Sequence, residues 1–291
     1  MLDGFRMKDW LVRPDKKVKL SKRPTRIEPL YTNDDDYDGK LDSMRALIAD
    51  QQDLLFADQR YAPLLIFQGM DTAGKDGAIK HVLRDLNPQG MDAAAFASPS
   101  QQDLSHDFLW RTHQKLPARG KIGLFNRSYY EEVLTVRVHP QYLEKQRIPE
   151  EHVGHKHFWD ERLADIANHE DYLHRQGYRI AKFYFHLSKE EQRERLLARM
   201  DDPKKNWKFD PADLEARSKW SAYMNAYEDC MEATSTKESP WFVVPADDKK
   251  NARLIVAQII TEFLEKIPAR FPRVTEEQKR EMKKARKTLK G

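Results

Sequence analysis

Three of the eleven glycines in this 291-residue chain fall within nine consecutive positions, Gly69-Met70-Asp71-Thr72-Ala73-Gly74-Lys75-Asp76-Gly77. The apolar run Leu64-Leu65-Ile66-Phe67 precedes them and a helical pattern follows. An apolar strand, then G-x-x-x-x-G-K, then a helix builds a phosphate-binding loop. Its glycines let backbone N–H groups curl around phosphate oxygens, the helix N-terminus adds positive potential, and the lysine bridges phosphates. The plainer reading is a turn that uses glycine for positive φ. On the first reading Gly69, Gly74 and Lys75 bind phosphate. The hydroxyl that usually follows the lysine and ligates Mg²⁺ is replaced by Asp76, and a further acid stands at Asp71. Carboxylates suit Mg²⁺ well, so a metal site rebuilt around Asp71 and Asp76 is expected.

A second constellation, Asn126-Arg127-Ser128-Tyr129-Tyr130-Glu131-Glu132, follows the apolar run Ile122-Gly123-Leu124-Phe125. In a parallel sheet, ligands bind at the carboxyl ends of strands, so this segment should lie beside the first loop. Arg127 can clamp a transferring phosphoryl group, where the bland alternative is a surface ion pair. Asn126 stands where such a fold usually offers an Asp to the metal. A third group, Arg195 and Arg199 on one helical face followed by Lys204, Lys205 and Lys208 around Trp207, is either a solvated basic helix end or a phosphate-contacting lid.

These groups need a frame that brings strand ends together. Runs resembling buried parallel strands lie at 64–67, 122–125, 180–187 and 241–244, with a weaker one at 93–97. Helical patterns occupy 41–60, 75–86, 103–115, 128–137, 149–176, 189–200, 211–234 and 250–266. Alternation of this kind implies an α/β, three-layer fold: a mostly parallel, five-stranded sheet with helices on both faces. Ser188-x-x-Glu191 reads as a capping box, and Asp210-Pro211 as an N-cap with proline at the first helical position. The polar, lysine-rich connection Met200 to Phe209 is the expected mobile lid.

Composition bounds the rest. With 40% hydrophobic residues, 34% charged and a mean hydropathy of −0.84, the chain reads as a soluble globular protein. One cysteine, Cys230, makes no internal disulfide, and the sequence contains no signal-peptide pattern or membrane span, so a cytoplasmic location is expected. Residues 1–29 carry nine Lys/Arg against four Asp/Glu, and 270–291 nine against three, around an acidic body. Those tails read as solvated arms, or as arms that attract a polyanion at long range. His139, His152, His155 and His157 read as polar surface rather than a zinc site, and Tyr223, Met224 and Tyr227 as core.

At this point the chain resembles the polyphosphate kinase 2 family. The resemblance rests on GMDTAGKDG at 69–77, NPQG at 87–90, SHDFLWR at 105–111, FNRSYYEEVL at 125–134, DPKKNWKF at 202–209 and PWFVVPADDKKNARL at 240–254. It implies a thymidylate-kinase-like P-loop domain over 35–268, with a helical lid at about 200–212, flanked by a basic extension (1–34) and a basic tail (269–291). It also implies Mg²⁺-dependent phosphoryl transfer between inorganic polyphosphate and adenine nucleotides. The F-N-R-S-x-Y-E form is similar to the subgroup that acts on both AMP and ADP. The resemblance assigns Asp71, Lys75, Asp76 and Arg127 to catalysis, with Asp71 and Asp76 also holding the metal. It gives Gly69, Gly74, Arg195, Arg199, Lys204 and Lys208 to polyphosphate, and Asn87, Asp107, Asn126 and Glu131 to the nucleotide. A homo-oligomer is expected, and neither membrane nor nucleic acid as partner. The competing readings are an ATP-dependent nucleoside monophosphate kinase, which shares the P-loop and arginine-bearing lid, and a P-loop regulatory or nucleic-acid-binding protein using the basic tails.

Overall fold

The computed structural model describes residues 2–14 and 16–290; Met1, Asp15 and Gly291, all within the two basic tails, lie outside the described residues. Five strands form one parallel sheet in the order β2-β3-β1-β4-β5: β1 (Ala62–Gln68), β2 (Met91–Ala95), β3 (Ile122–Asn126), β4 (Tyr178–His186) and β5 (Trp241–Pro245). β1 is buried along its whole length, as expected for a central strand covered on both faces. The long helices are α1 (Asp34–Asp58), α2 (Lys75–Val82), α5 (Phe158–Arg175), α6 (Lys189–Asp201), α7 (Pro211–Ser218), α8 (Trp220–Thr234), α9 (Lys249–Glu265) and α10 (Glu276–Lys290); α3 (Trp110–His113) and α4 (Thr135–Val138) are single turns.

Alternation along each strand sends neighbouring side chains to opposite layers. Leu65, Phe67, Phe183, Phe185, Phe242 and Val244 pack with apolar residues of α1, α2 and α9. Leu64, Ile66, Phe125, Ile180, Tyr184, Trp241 and Val243 pack with those of α5 and α8. The second layer also encloses a polar knot. Lys182 Nζ, fully buried on β4, donates to Glu170 Oε2 at 2.5 Å and to Tyr130 Oη at 3.1 Å, and the Tyr129 and Tyr130 hydroxyls both donate to Glu170 Oε1.

Several expected helices are shorter or broken. The pattern over 103–115 is interrupted at His106, whose backbone is extended, and that over 128–137 becomes a 3-10 turn (Tyr129–Glu132) started by Ser128, followed by α4. The stretch 149–176 begins its α-helix only at Phe158, beyond Gly154, and 211–234 divides at Lys219. Both proposed helix starts exist, since Ser188 Oγ accepts from Glu191 N and Asp210 Oδ1 from Ala212 N. The Glu191 side chain does not complete the box; it ion-pairs with Arg195.

The N-terminal segment is no solvated arm. Leu2, Val12, Val18 and Leu20 are buried, and Leu11 bridges antiparallel to Phe242 on the β5 edge. Val12 N donates to Trp241 O at 2.8 Å and Val243 N to Trp10 O at 2.9 Å, so the segment covers an edge that would otherwise present unpaired backbone groups. The C-terminal tail does run in solvent, as an exposed helix.

Candidate active site

The loop between β1 and α2 takes its shape from residues with positive φ: Gly69 (151°), Thr72 (65°) and Gly74 (104°). A Cβ on Gly69 would lie 3.0 Å from Phe185 O, so only glycine fits against the next strand. Gly74 starts α2, whose free N–H groups face the cleft as an anion site. Lys75 is 7% exposed, and its ammonium donates to Gly69 O at 2.6 Å and Met70 O at 3.2 Å. Burial pushes that ammonium below its ordinary pKa, a cost that an arriving phosphate relieves.

β3 lies beside β1 in parallel register, Phe67 opposite Asn126, which places the second constellation against the first. Asn126 Nδ2 donates to Asp76 Oδ1 at 2.6 Å. Arg127 follows at φ 62°, a conformation costing a non-glycine residue about 1 kcal/mol or more. Its N–H bonds Phe67 O at 3.0 Å and its guanidinium reaches Asp71 Oδ1 at 2.7 Å. The carboxylate of Glu131, then that of Asp71, holds Arg127 firmly protonated. Glu131 in turn accepts from Thr135 Oγ1 at 2.6 Å.

Two clefts meet at this point. One, about 680 Å³, runs along the loop and is rimmed by Lys75, Arg127, Arg199, Lys205 and Lys249. The other, about 380 Å³, lies across Asp71 and Arg127 and mixes Phe96, Tyr223 and Tyr227 with Arg111, Glu131 and Asp213. Asp71, Phe96, Ala97 and Arg127 wall both. Tyr223 and Tyr227 are buried as expected of core residues, yet they also form the floor of the second cleft.

The two ends of the segment expected to be a lid are tied together. Arg199 on α6 pairs with Asp213 on α7 at 2.9 Å and donates to Lys208 O at 3.3 Å. Asp213 faces Asp71 within hydrogen-bonding range, and burial, followed by the Asp71 charge, pushes its carboxyl up to about 6. Asp213 carries no sequence signal beyond a polar helix start, and Lys249 none beyond its place in PWFVVPADDKKNARL at 240–254.

The remaining expected site residues are placed differently. Arg195 lines the loop cleft, but its guanidinium is engaged by the protein: it donates to Glu191 and to the carbonyls of Thr72, Ala73, Ala246 and Asp247, bracing the phosphate loop against the turn after β5. Lys204 and Lys208 are exposed and do not line the loop cleft, Lys208 lying over the Trp207 ring, whereas Lys205 between them does line it. Asn87 is a turn device, since its Oδ1 accepts from Gln89 N and its backbone is held by the buried Gln52. Asp107 caps Leu109 N and walls a side cavity with Arg111, Glu132 and Arg162, apart from the loop. The histidines pair separately, His139 with Glu215, His155 with Glu161 and His157 with Asp160.

No group of three or more His, Cys, Asp or Glu side chains among the described residues forms a ready metal cage. The donors present, Asp71 and Asp76 beside the Asn126 amide, fit a hard divalent cation that keeps waters and shares phosphate oxygens, which is how Mg²⁺ binds at such loops.

Comparison with known proteins agrees with this geometry. The chain is 50% identical over 98% of its length to ADP-polyphosphate phosphotransferase of Rhodopseudomonas palustris, covering 99% of that protein. It is 38% identical over 91% of its length to AMP/ADP-polyphosphate phosphotransferase of Meiothermus ruber, covering 96% of it. The crystal structure of polyphosphate kinase 2 from Arthrobacter aurescens TC1 superposes with a TM-score of 0.81 at 36% identity, over 93% of this chain and 98% of that one. The sequence model of polyphosphate kinase 2 matches residues 31–272, from the approach to α1 to the end of the packed domain, and the chain belongs to that family of P-loop phosphotransferases.

Proposed function

We propose that this enzyme transfers the terminal phosphoryl group of inorganic polyphosphate to ADP and AMP, reversibly and with Mg²⁺. One observation carries the reading: a cation-rimmed cleft and a mixed aromatic and polar cleft share a single wall at Asp71 and Arg127. The first suits a chain that is charge throughout; the second suits a nucleotide, with rings for the base and cations for its phosphates. The family relatives named for ADP and for AMP/ADP support those acceptors.

The acceptor phosphate oxygen is already anionic near neutral pH, so no strong base is required. Transfer breaks the terminal P–O–P linkage of polyphosphate and forms a P–O bond to the nucleotide, with the shortened chain leaving as an anion. The protein's part is in-line positioning and charge neutralisation. Lys75 and the N–H groups of the loop hold the donor, while Arg127, oriented by Asp71 and Glu131, faces the transferring group from the shared wall. Asp71 and Asp76 would hold Mg²⁺, with Asn126 orienting Asp76; when bound, the ion supplies charge neutralisation at the transferring phosphoryl oxygens. We take residues 200–212 to be the lid, which closes over the donor through Lys205 with Arg199 of α6 at its base. Self-association into a homo-oligomer and a cytoplasmic location belong to the same reading; no helix among the described residues is long and apolar enough to cross a membrane.

The test is nucleotide separation after incubation of the purified chain with polyphosphate and either ADP or AMP, with Mg²⁺ or with excess chelator. ATP from ADP and ADP from AMP, both lost on chelation, are expected. Retention of full activity in chelator, or in both Asp71→Asn and Asp76→Asn, would refute the metal assignment.

A further inference from the structure

Of the cations on the first turns of α9, one stands on the rim of the loop cleft and one lies against α2, and the reaction described above gives neither a step of its own. Lys249, the first residue of α9, is exposed on the cleft rim and makes no ion pair or hydrogen bond among the described residues. Arg253, one turn further along α9, lays its guanidinium 3.6 Å from where a Cβ would stand on Gly77 of α2. Its hydrogen bond to Tyr37 Oη is a long one, 3.4 Å, and no carboxylate among the described residues pairs with it. Arg195, Arg253 and Lys205 repel the Lys249 ammonium, and Glu191, which attracts it, is already engaged by Arg195 at 2.9 Å and Arg26 at 3.3 Å. Partial burial and then Arg195 push the Lys249 ammonium below its ordinary pKa. Lys250, next in sequence, shows the contrast: it is matched by Asp34 at 2.6 Å.

Gly77 lies two residues beyond Lys75 on α2, about 3 Å along the helix axis, so these cations begin where the loop's own phosphate contacts end. Lys80, three residues past Gly77 and exposed, continues the same helix face. On the α1 side the series stops at the acidic run Asp34–Asp36.

We propose that the seam between α2 and α9 is a distal subsite for polyphosphate, in which Lys249 and Arg253 hold phosphate units beyond those gripped by the loop. This rests on the polyphosphate reading above and adds to it a direction for the chain and a dependence on its length. A mononucleotide donor does not need such a seam; a linear polyanion does.

The experiment is a series of polyphosphates of increasing length, from the shortest that the unaltered chain accepts, with ADP as acceptor. It compares the unaltered chain with the neutral double variant Lys249→Gln/Arg253→Gln and the charge-preserving Lys249→Arg/Arg253→Lys, with thermal melting as the fold control. In the unaltered chain KM should fall as the donor lengthens. The neutral variant should raise KM for long chains about fivefold or more while moving the shortest chain less and kcat least, and the charge-preserving variant should restore the length dependence. A length dependence unchanged in the neutral variant, or absent from the unaltered chain, overturns the subsite while leaving the proposed function standing. Absence of transfer from polyphosphate of any length overturns both.

Discussion

Replacing Lys75 by methionine separates the loop's chemistry from its stability. Lys75 is 7% exposed, and among the described residues its ammonium bonds the carbonyls of Gly69 and Met70 alone. Losing two such bonds costs about 1 kcal/mol each, and removing a buried cation returns part of that by ending its desolvation. Methionine preserves the length and shape of the side chain, so the net change should stay within about 2 kcal/mol, a melting shift of roughly 4–8 °C at most in a chain of this size. The rate should respond far more strongly. A preorganised cation facing developing phosphoryl charge contributes about 10²–10³ in turnover, or about 2.7–4 kcal/mol. Initial rates of ATP formation at saturating ADP and polyphosphate, beside circular-dichroism melting of the same samples, give both numbers. A folded Lys75→Met protein turning over within about threefold of the unaltered chain would remove the loop lysine from the mechanism.

Three further outcomes follow from the packing. Glu170→Gln leaves the fully buried Lys182 ammonium without its carboxylate and should destabilise by about 3–5 kcal/mol, whereas adding Lys182→Met should recover much of the loss in urea unfolding; a double variant as unstable as the sum of the singles would contradict the pairing. Burial, followed by the neighbouring His113, lowers the His169 pKa to about 4 from an ordinary 6.5, so the unfolded chain binds that proton first and stability falls as pH drops from 6.5 towards 4. The melting temperature of His169→Asn should therefore fall less steeply over that window, and a parallel curve would refute it. Deleting residues 2–29 should lower the melting temperature or abolish soluble protein, because Leu2, Val12, Val18 and Leu20 are buried, while ending the chain at Arg273 should leave it unchanged.

The phosphate loop was legible because glycine reports backbone need: Gly69 and Gly74 stand at positive φ, and their spacing to Lys75 is fixed by the turn they make. The parallel sheet was legible because fully buried strands read as unbroken apolar runs. The partners of Arg195 were not legible, for a definite reason. Helical periodicity puts it on one face with Arg199, but cannot reveal that one guanidinium turns inward onto four carbonyls while the other pairs with Asp213. The N-terminal segment was misread because its apolar residues are sparse and its partners on β5 lie some 230 positions away, where no local pattern reaches. Asn87 and Asp107 were carried over from motif resemblance, and their side chains serve turns. Asp213 and Lys249 were missed because an acid in a first helical turn and a lysine in a D-D-K-K run are ordinary until the fold sets them beside the loop.

The identity of the donor is the claim on which the rest depends, and polyphosphate carrying a labelled terminal phosphate tests it most directly. Mixed with the protein, Mg²⁺ and unlabelled ADP, it should deliver the label to the terminal phosphate of ATP. If the label stays in polyphosphate while AMP and unlabelled ATP are converted to ADP at a rate indifferent to polyphosphate, the cation-rimmed cleft holds a nucleotide donor and the account is wrong.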